Sequence, residues 1–503
     1  MTELGFTPAT DLAGALRRRE IASRELLNHY LGRIERDNPA LNAVVTLDEE
    51  RARRQAWAAD EAAARGELWG PLHGLPMTVK DSIETAGLRT TAGATELADH
   101  VPERDADAVA RLRSAGAVIF GKTNLPTYAM DVQSYNPVFG TTNNPWDTAR
   151  TPGGSSGGAA AALAAGLTGF ELGSDIGGSI RNPAHFCGVF GLKPSYGIVP
   201  ARGHIPGPPS TLTTADISVI GPMGRSADDL DLGLDVLAGP DPIASVAWRL
   251  DLPPPRADSL ARYRLAAWLD DPYCPTDSDV LEVLAAAVDA LRGNGAAVDE
   301  RARPVELPAA DRLFRQLLQG AVCNGYPRRV FDRLRDEAAA ASPDDDSPRL
   351  RTARDITQRK RDWNSAHERR LQLASRWATF FRDHDVLLCP VTPTAAIPHD
   401  HAPDLDARTI SVNGQHRPYW DQLTWAGLTG MAYLPAAVVP VGRTRQGLPV
   451  GLQVVAAHLE DRTAVDVARR IATVVGGFLP AVGAQQVSTS ETSSGPSGPR
   501  SGT

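Results

Sequence analysis

Cysteine is scarce in this sequence, with four residues among 503. None of the four lies at a spacing typical of a disulfide framework or a zinc site. They are Cys187, Cys274, Cys323 and Cys389. The eleven histidines are dispersed, and the closest pair, His399 and His401, has no third or fourth ligand nearby in the sequence. We therefore expect no disulfides, no bound metal and no cofactor.

Long apolar runs and an excess of positive charge are also missing. The alanine-rich segment after Ser156 is interrupted by Gly166, Gly169 and Glu171, so no run reaches the roughly 18 residues of a membrane span. The net charge of −8 argues against nucleic acid as a partner. Residues 1–8 have neither the basic nor the apolar region of a secretory signal. We expect a cytoplasmic monomer or homodimer that acts on a small molecule.

Two glycine-rich segments each carry a serine. Residues 151–158 read TPGGSSGG, with Ser155 inside, and residues 173–181 read GSDIGGSIR, with Ser179 inside. Upstream, the apolar run of residues 74–81, GLPMTVKD, ends on Lys80. Burial there would favour the neutral form of the lysine, which could then act as a base. A serine nucleophile with a lysine base is an arrangement suited to amide hydrolysis.

The order and separation of Lys80, Ser155 and Ser179 resemble the amidase signature family. That family includes fatty acid amide hydrolase, bacterial aryl and acyl amidases, and the A subunit of glutamyl-tRNA amidotransferase. The resemblance is strongest from about residue 70 to 200 and returns in segments 385–393 and 434–453.

The resemblance implies a role for each of these residues. Ser179 attacks the substrate carbonyl, Lys80 is the base, and Ser155, on a cis peptide bond, passes the proton between them. A lysine can act in this way only if its pKa falls well below the usual value of about 10.4. Backbone N–H groups would stabilise the oxyanion. The expected donors are Ile176, Gly177, Gly178 and Ser179.

Three further polar residues each have two alternative roles. Asp175 and Arg181 either brace the oxyanion loop, without touching substrate, or form an ion pair on the surface. Ser156 either caps the N-terminus of the helix expected over residues 158–165 or joins the proton network.

The acyl site is harder to place. By position in the family, Ala129 supplies a main-chain contact to the substrate, and Ser155 and Met130 lie beside it. An apolar pocket favours aryl or long acyl groups. Its candidate lining residues are Met130, Phe139, Ile205, Trp420 and Trp425. For each of them, the alternative is a position in the hydrophobic core.

The same glycines fit other motifs less well. Residues 116–123, GAVIFGKT, match a phosphate-binding loop, but the β-prone run 117–120 lies inside the supposed loop, and Pro126 disfavours the helix that should follow. Residues 153–157 match the G-x-S-x-G elbow of α/β-hydrolases, but a turn-rich polar segment precedes them where that motif needs a strand. A glycine-rich turn in a non-catalytic protein is the third interpretation.

We expect an α/β protein with the amidase signature fold, a central mixed, twisted β-sheet covered by helices on both faces. Residues 8–66 are expected to form helices. One domain would span 1–482, with its core at about 67–242 and 385–482 and a variable helical substrate cap at about 243–384, followed by a disordered tail at 483–503. The predicted strands are Leu75–Val79, Ala117–Phe120, Val386–Cys389 and Ala436–Val439.

The predicted function is hydrolysis of small aryl or acyl amides, with carbamates (urethanes) and esters left open. The first alternative is the glutamine-hydrolysing A subunit of a tRNA amidotransferase. A glutamine site needs charged partners for the free α-amino and α-carboxylate groups, whereas segment 419–430 is aromatic and has a single acid. The second alternative is a binding subunit that keeps the fold, which an intact Ser-Ser-Lys triad disfavours.

Overall fold

Fifteen β-strands lie within residues 3–205 and 208–481, the parts of the chain that the computed structural model describes. The tail expected at 483–503 lies outside these residues. The strands are β1 (Val44–Leu47), β2 (Pro76–Lys80), β3 (Val118–Thr123), β4 (Tyr135–Asn136), β5 (Gly140–Thr141), β6 (Glu171–Asp175), β7 (Phe190–Lys193), β8 (Val219–Gly224), β9 (Arg264–Ala267), β10 (Ala297–Asp299), β11 (Val386–Pro390), β12 (Thr409–Val412), β13 (Gln415–Pro418), β14 (Ala436–Arg443) and β15 (Pro449–Ala456).

Fourteen α-helices accompany them in the same part of the chain. They are α1 (Ala9–Arg17), α2 (Ser23–Leu41), α3 (Glu49–Ala64), α4 (Asp107–Ser114), α5 (Gly157–Ala164), α6 (Arg181–Cys187), α7 (Ala227–Leu237), α8 (Ser278–Gly293), α9 (Leu307–Val322), α10 (Arg328–Ala340), α11 (Pro348–Ile356), α12 (Lys360–Asp383), α13 (Thr424–Gly430) and α14 (Asp461–Val475). None of these helices is long and apolar enough to cross a membrane.

Eleven strands form one mixed sheet in the order β1-β3-β2-β6-β8-β7-β14-β15-β11-β9-β10. Strands β3, β2 and β6 are mutually parallel, as are β11, β9 and β10, while the pairs from β6 to β11 are antiparallel. The remaining four strands form two small hairpins, β4 with β5 and β12 with β13. The mixed sheet of the expected fold is confirmed.

Helices cover both faces of this sheet. Successive side chains of a strand point to opposite faces, and in β14 Ala437 and Val439 pack with residues of α7, α8 and α14, whereas Val438 packs with residues of α5 and α6. Helices α5 and α6 also contact each other. The two short helices that follow the glycine-rich segments therefore share one layer.

The four predicted strands are present as β2, β3, β11 and β14, each shifted or extended by a few residues. The expectation that residues 8–66 are wholly helical is wrong at Val44–Leu47. Here the β-branched run pairs antiparallel with β3 after Asn42 has turned the chain in a left-handed conformation.

The region 243–384 is not wholly helical either. Its strands β9 and β10 extend the main sheet from β11, and only α8 to α12 are helical. The helical cap expected over this whole region is therefore limited to part of it, because two of its segments pair with the central sheet.

Candidate active site

Lys80 is the last residue of β2 and is fully buried between β3 and β6. Its Nζ lies 2.7 Å from the Oγ of Ser155, 3.0 Å from that of Ser156 and 3.0 Å from that of Ser174. The amine therefore has three hydroxyl partners and no carboxylate among its hydrogen bonds.

Burial lowers the pKa of Lys80 to about 7. The charges of Asp175 and Glu171 oppose this shift but do not cancel it. Glu171 contributes little negative charge near neutral pH, because burial raises its own pKa to about 8. A large fraction of Lys80 is thus neutral at pH 7, as a base requires.

The segments that carry Ser155 and Ser179 lie side by side just before helices α5 and α6. The peptide bond between Gly154 and Ser155 is cis, as the resemblance implied. The Ser156 N–H donates to the Ser179 carbonyl oxygen at 3.0 Å, which ties the two glycine-rich segments together. Ser155, the expected relay, is buried, whereas Ser179, the expected nucleophile, is partly exposed.

Asp175 and Arg181 form a fully buried ion pair with an N···O distance of 2.8 Å, so the surface alternative is wrong. Asp175 also accepts from the N–H groups of Gly178 and Ile180 at 2.9 and 3.1 Å. Burial alone would raise the pKa of Asp175, but Arg181, the charge of Lys193 and the Gly178 N–H hold it at about 2. Arg181 in turn donates to Ala426, so the pair links the oxyanion loop to α13.

One of the four expected oxyanion donors is already occupied. The Gly178 N–H donates to Asp175, while the N–H groups of Ile176, Gly177 and Ser179 have no acceptor among the described residues. Gly178 has a φ of +113°, and a Cβ there would lie 2.9 Å from the Cβ of Ala426. Three donors therefore remain available to an oxyanion, and Gly178 shapes the loop.

Ser156 makes no capping bond to α5, although it precedes its first residue, Gly157. Its Oγ instead approaches Lys80 and donates to the Ser174 carbonyl at 3.3 Å. These contacts match the interpretation in which Ser156 joins the proton network, and not the one in which it caps the helix.

Ser174 was missed by sequence reasoning, although it belongs to the same segment as Ser179. The signal was available in part: Ser174 precedes Asp175 at the end of β6, which runs parallel to the strand carrying Lys80. Only the pairing of the strands shows that its hydroxyl reaches the lysine.

The residues expected at the acyl site are spread over different environments. Ala129 and Met130 are partly exposed in a short turn, with Ala129 at a φ of +59°. Ile205 and Trp425 are fully buried, and Trp425 packs edge-on against Trp268, as core residues do. The partly exposed members of the set, Phe139 and Trp420, contact Arg89 and Asp406 respectively.

Three apolar side chains that sequence reasoning missed lie beside the oxyanion loop. A Cβ at Gly177 would lie 3.5 Å from Phe314 of α9 and 3.6 Å from Leu423, and Ala426 faces Gly178. These residues come from the 243–384 region and from segment 419–430, far from the glycine-rich segments in sequence. Their position gives the loop an apolar wall.

Neither competing motif has the structure it would need. Lys122 and Thr123 of the phosphate-loop pattern lie inside β3, and the buried Lys122 donates to Thr85 at 2.8 Å. Among the described residues, no strand immediately precedes Ser155, as the hydrolase elbow would require. Both patterns arise from glycines that serve other purposes.

The family model described as Amidase matches residues 25–465. The chain is 34% identical to the A subunit of the glutamyl-tRNA(Gln) amidotransferase of Moorella thermoacetica, over 93% of this chain and 96% of that protein. Among solved structures, one titled as an amidase has 29% identity and a TM-score of 0.76, covering 93% of this chain and 100% of the other. A 6-aminohexanoate cyclic dimer hydrolase complexed with substrate has 25% identity and a TM-score of 0.75, covering 94% and 97%. The chain belongs to the amidase signature family.

Proposed function

We propose that this chain hydrolyses carboxamides through an acyl-enzyme on Ser179. The observation that carries the proposal is the buried amine of Lys80, 2.7 Å from the Ser155 hydroxyl and with a pKa near 7. No other lysine of the described chain contacts the cis-linked serine. A neutral amine in that position can take a proton that Ser155 has received from the nucleophile.

The reaction then has two halves. Ser179 Oγ bonds to the carbonyl carbon, its proton passes to Ser155, and the Ser155 proton passes to Lys80. The oxyanion receives hydrogen bonds from the N–H groups of Ile176, Gly177 and Ser179. As the carbon–nitrogen bond breaks, the proton returns through Ser155 to the leaving nitrogen. Water cleaves the acyl-enzyme by the same relay.

The apolar wall beside the oxyanion loop supports a small amide with an apolar acyl or aryl group. Phe314, Leu423 and Ala426 offer dispersion contacts but no partner for a charge. Arg315, which follows Phe314 in α9, is already paired with Asp311 at 2.7 Å. Carbamates and esters remain within this proposal because they also acylate a serine. Ala129 and Met130 would border the acyl group.

Glutamine hydrolysis within a tRNA amidotransferase is the second candidate. Sequence similarity favours it, because the amidotransferase protein of Moorella thermoacetica is more similar to this chain, at 34% identity, than the amidase structure at 29%. In that role, the chain would depend on partner subunits and serve a glutamyl-tRNA. The first candidate instead predicts activity in the isolated chain, as a monomer or homodimer. A complete Lys80, Ser155 and Ser179 set argues against a purely binding role.

Initial rates on one aryl scaffold, presented as an anilide, an ester and a carbamate, together with free glutamine, would separate the candidates. Ser179→Ala protein provides the blank. Turnover of the anilide or carbamate by the chain alone supports an independent hydrolase. Glutamine as the sole substrate supports the amidotransferase role, and turnover by the blank would contradict both.

A further inference from the structure

A second chain of hydrogen bonds leads from Lys80 away from Ser155. The Oγ of Ser174 lies 3.0 Å from Lys80 Nζ and 2.9 Å from Nε2 of His204. The Oγ of Ser82 lies 3.2 Å from the same nitrogen. The imidazole is thus one hydroxyl away from the expected base.

The backbone fixes this imidazole relative to the lysine. His204 forms an antiparallel bridge with Ile83, and the Ile205 N–H donates to the Ser82 carbonyl at 2.8 Å. Ser82 and Ile83 lie two and three residues after Lys80, the last residue of β2. The segment that carries the base therefore also holds the histidine.

The number of protons on Lys80 limits the orientations of the hydroxyl groups of Ser155, Ser156 and Ser174. A neutral amine has one lone pair and two N–H donors. If the lone pair is to accept the proton of Ser155, both donors go to the other two hydroxyls, Ser156 and Ser174. Ser174 then accepts from Lys80 and must donate its own proton to another group. The acceptor in reach is His204 Nε2.

We propose that His204 is a positioning residue of the active site, whose Nε2 accepts the Ser174 proton and so keeps the lone pair of Lys80 free for Ser155. This inference rests on the proposed function. In the opposite tautomer Nε2 would donate, and the Ser174 hydroxyl would turn toward Lys80 and compete with Ser155. The tautomer with the proton on Nδ1 is the productive one.

The charges around the site are consistent with a neutral imidazole. Burial and, to a smaller extent, the positive charge of Lys80 together lower the pKa of His204 to about 3. The charges of Asp175 and Glu171 on β6 favour the charged form of the lysine. His204 therefore acts through its lone pair rather than by taking up a proton.

The rate at which a fluorophosphonate labels Ser179, measured against pH, tests the proposal without a known substrate. In this reaction the Ser179 oxygen bonds to phosphorus, fluoride leaves, and the serine proton passes through Ser155 to Lys80. His204→Leu removes the acceptor, and His204→Gln replaces it with an amide oxygen. His416→Leu, on the exposed β13, is the matched control.

We expect His204→Leu to slow labelling about tenfold, a modest part of what general-base catalysis contributes. The lower-pH limb of its profile moves to lower pH, because a hydroxyl donating to the neutral amine stabilises that form. The labelling rate of His204→Gln stays within about threefold of that of the unchanged protein, and His416→Leu does not change the rate. An unchanged rate and pH profile in His204→Leu would overturn the proposal.

A double substitution separates positioning from general disruption. In a Ser174→Ala background, His204→Leu causes no further loss, because the hydroxyl that links His204 to Lys80 is already gone. Losses that multiply would overturn the proposal. If the leucine variant unfolds at a lower temperature, His204→Met takes its place in both comparisons. Labelling of Ser179→Ala would defeat the proposed function itself, whereas an unlabelled Ser179→Ala with a normal His204→Leu defeats the positioning role alone.

Discussion

At the scale of single residues, the proposed mechanism depends on a buried lysine whose pKa is lowered to about 7. Lys80 has three hydroxyls for neighbours and no ion pair, in contrast to Arg181, whose buried charge is balanced by Asp175. An ammonium group loses its hydration on burial, and hydroxyls replace that hydration only partly. The same burial therefore lowers the pKa of the lysine and leaves the paired arginine charged.

Substitutions in the triad should differ in severity. Ser179→Ala abolishes turnover because no acyl-enzyme forms, and Lys80→Ala is nearly as severe because the proton acceptor is gone. Ser155→Ala is milder, since water can take part of its place. The values of kcat for the three variants, measured on the best substrate of the aryl panel, check this order. Near-normal amide hydrolysis by Ser179→Ala would contradict the mechanism.

The pH dependence follows from the form of Lys80 that is active. In the proposed mechanism the neutral amine is the base, so we expect kcat/KM to be high above its pKa of about 7 and to fall as the lysine is protonated below it. The kcat/KM profile of the free enzyme reports this titration directly. A flat profile between about pH 5 and 9 would exclude Lys80 as the base.

Asp175→Asn should destabilise the fold, because it leaves the Arg181 charge buried without its partner. Removing one member of a buried ion pair costs about 3 to 5 kcal/mol of the free energy of unfolding. Chemical denaturation measures this loss. Glu20→Gln, in an exposed pair with Arg18, is the control and should leave the midpoint unchanged. Equal midpoints for the two variants would contradict the bracing role.

The stabilisation from Asp175 also has a defined pH range. Its pKa is lowered from 3.8 to about 2 in the folded protein, so its contribution is complete above the unfolded value and is lost as the pH falls toward 2. Asp175→Asn should therefore remove part of the acid dependence of stability in that range.

At the scale of elements, a glycine lets one helix pack closely on the sheet. Helix α7 packs on β8 through Gly233, where a Cβ would meet Pro222 and would lie 2.8 Å from Phe170. Gly32 of α2, in contrast, is exposed and has nothing within 4 Å of such a Cβ. Gly233 thus allows a close approach between helix and sheet, whereas no neighbour of Gly32 requires a glycine.

Gly233→Ala should destabilise the protein by about 1 to 3 kcal/mol, as overpacking does. Gly32→Ala should stabilise it by about 0.5 to 1 kcal/mol through helix propensity alone. Thermal unfolding of both variants measures the difference. Equal changes in stability for the two variants, of either sign, would show that close packing of α7 on the sheet does not disfavour a side chain at Gly233.

At the scale of the whole molecule, both halves of the chain build one sheet. Strand β7 pairs with β14, and α14 packs against α7. Arg181 donates to Gln453 of β15 at 2.7 Å. These contacts join residues on either side of the exposed segment around Arg249, which has no helix or strand.

A protease recognition sequence inserted after Arg249 should therefore allow a cut that leaves the halves together. We expect the cleaved protein to elute as one species and to keep its activity, because the pairing of β7 with β14 does not depend on chain continuity. Size-exclusion chromatography and activity of cut and uncut samples check this. Halves that separate without denaturant would contradict it.

The sequence alone determined the family and four strands of the sheet, and it supplied Lys80, Ser155 and Ser179 as the candidate catalytic set, because these lie in short segments whose residue types the chemistry requires. The tertiary structure decided what depends on distant segments. Strand β1 forms through its pairing with β3, Ser174 reaches Lys80 across parallel strands, and Phe314 lies beside Gly177 from a region without a recognisable motif. Local sequence carries no record of such contacts, since they join residues that only the folded chain brings together.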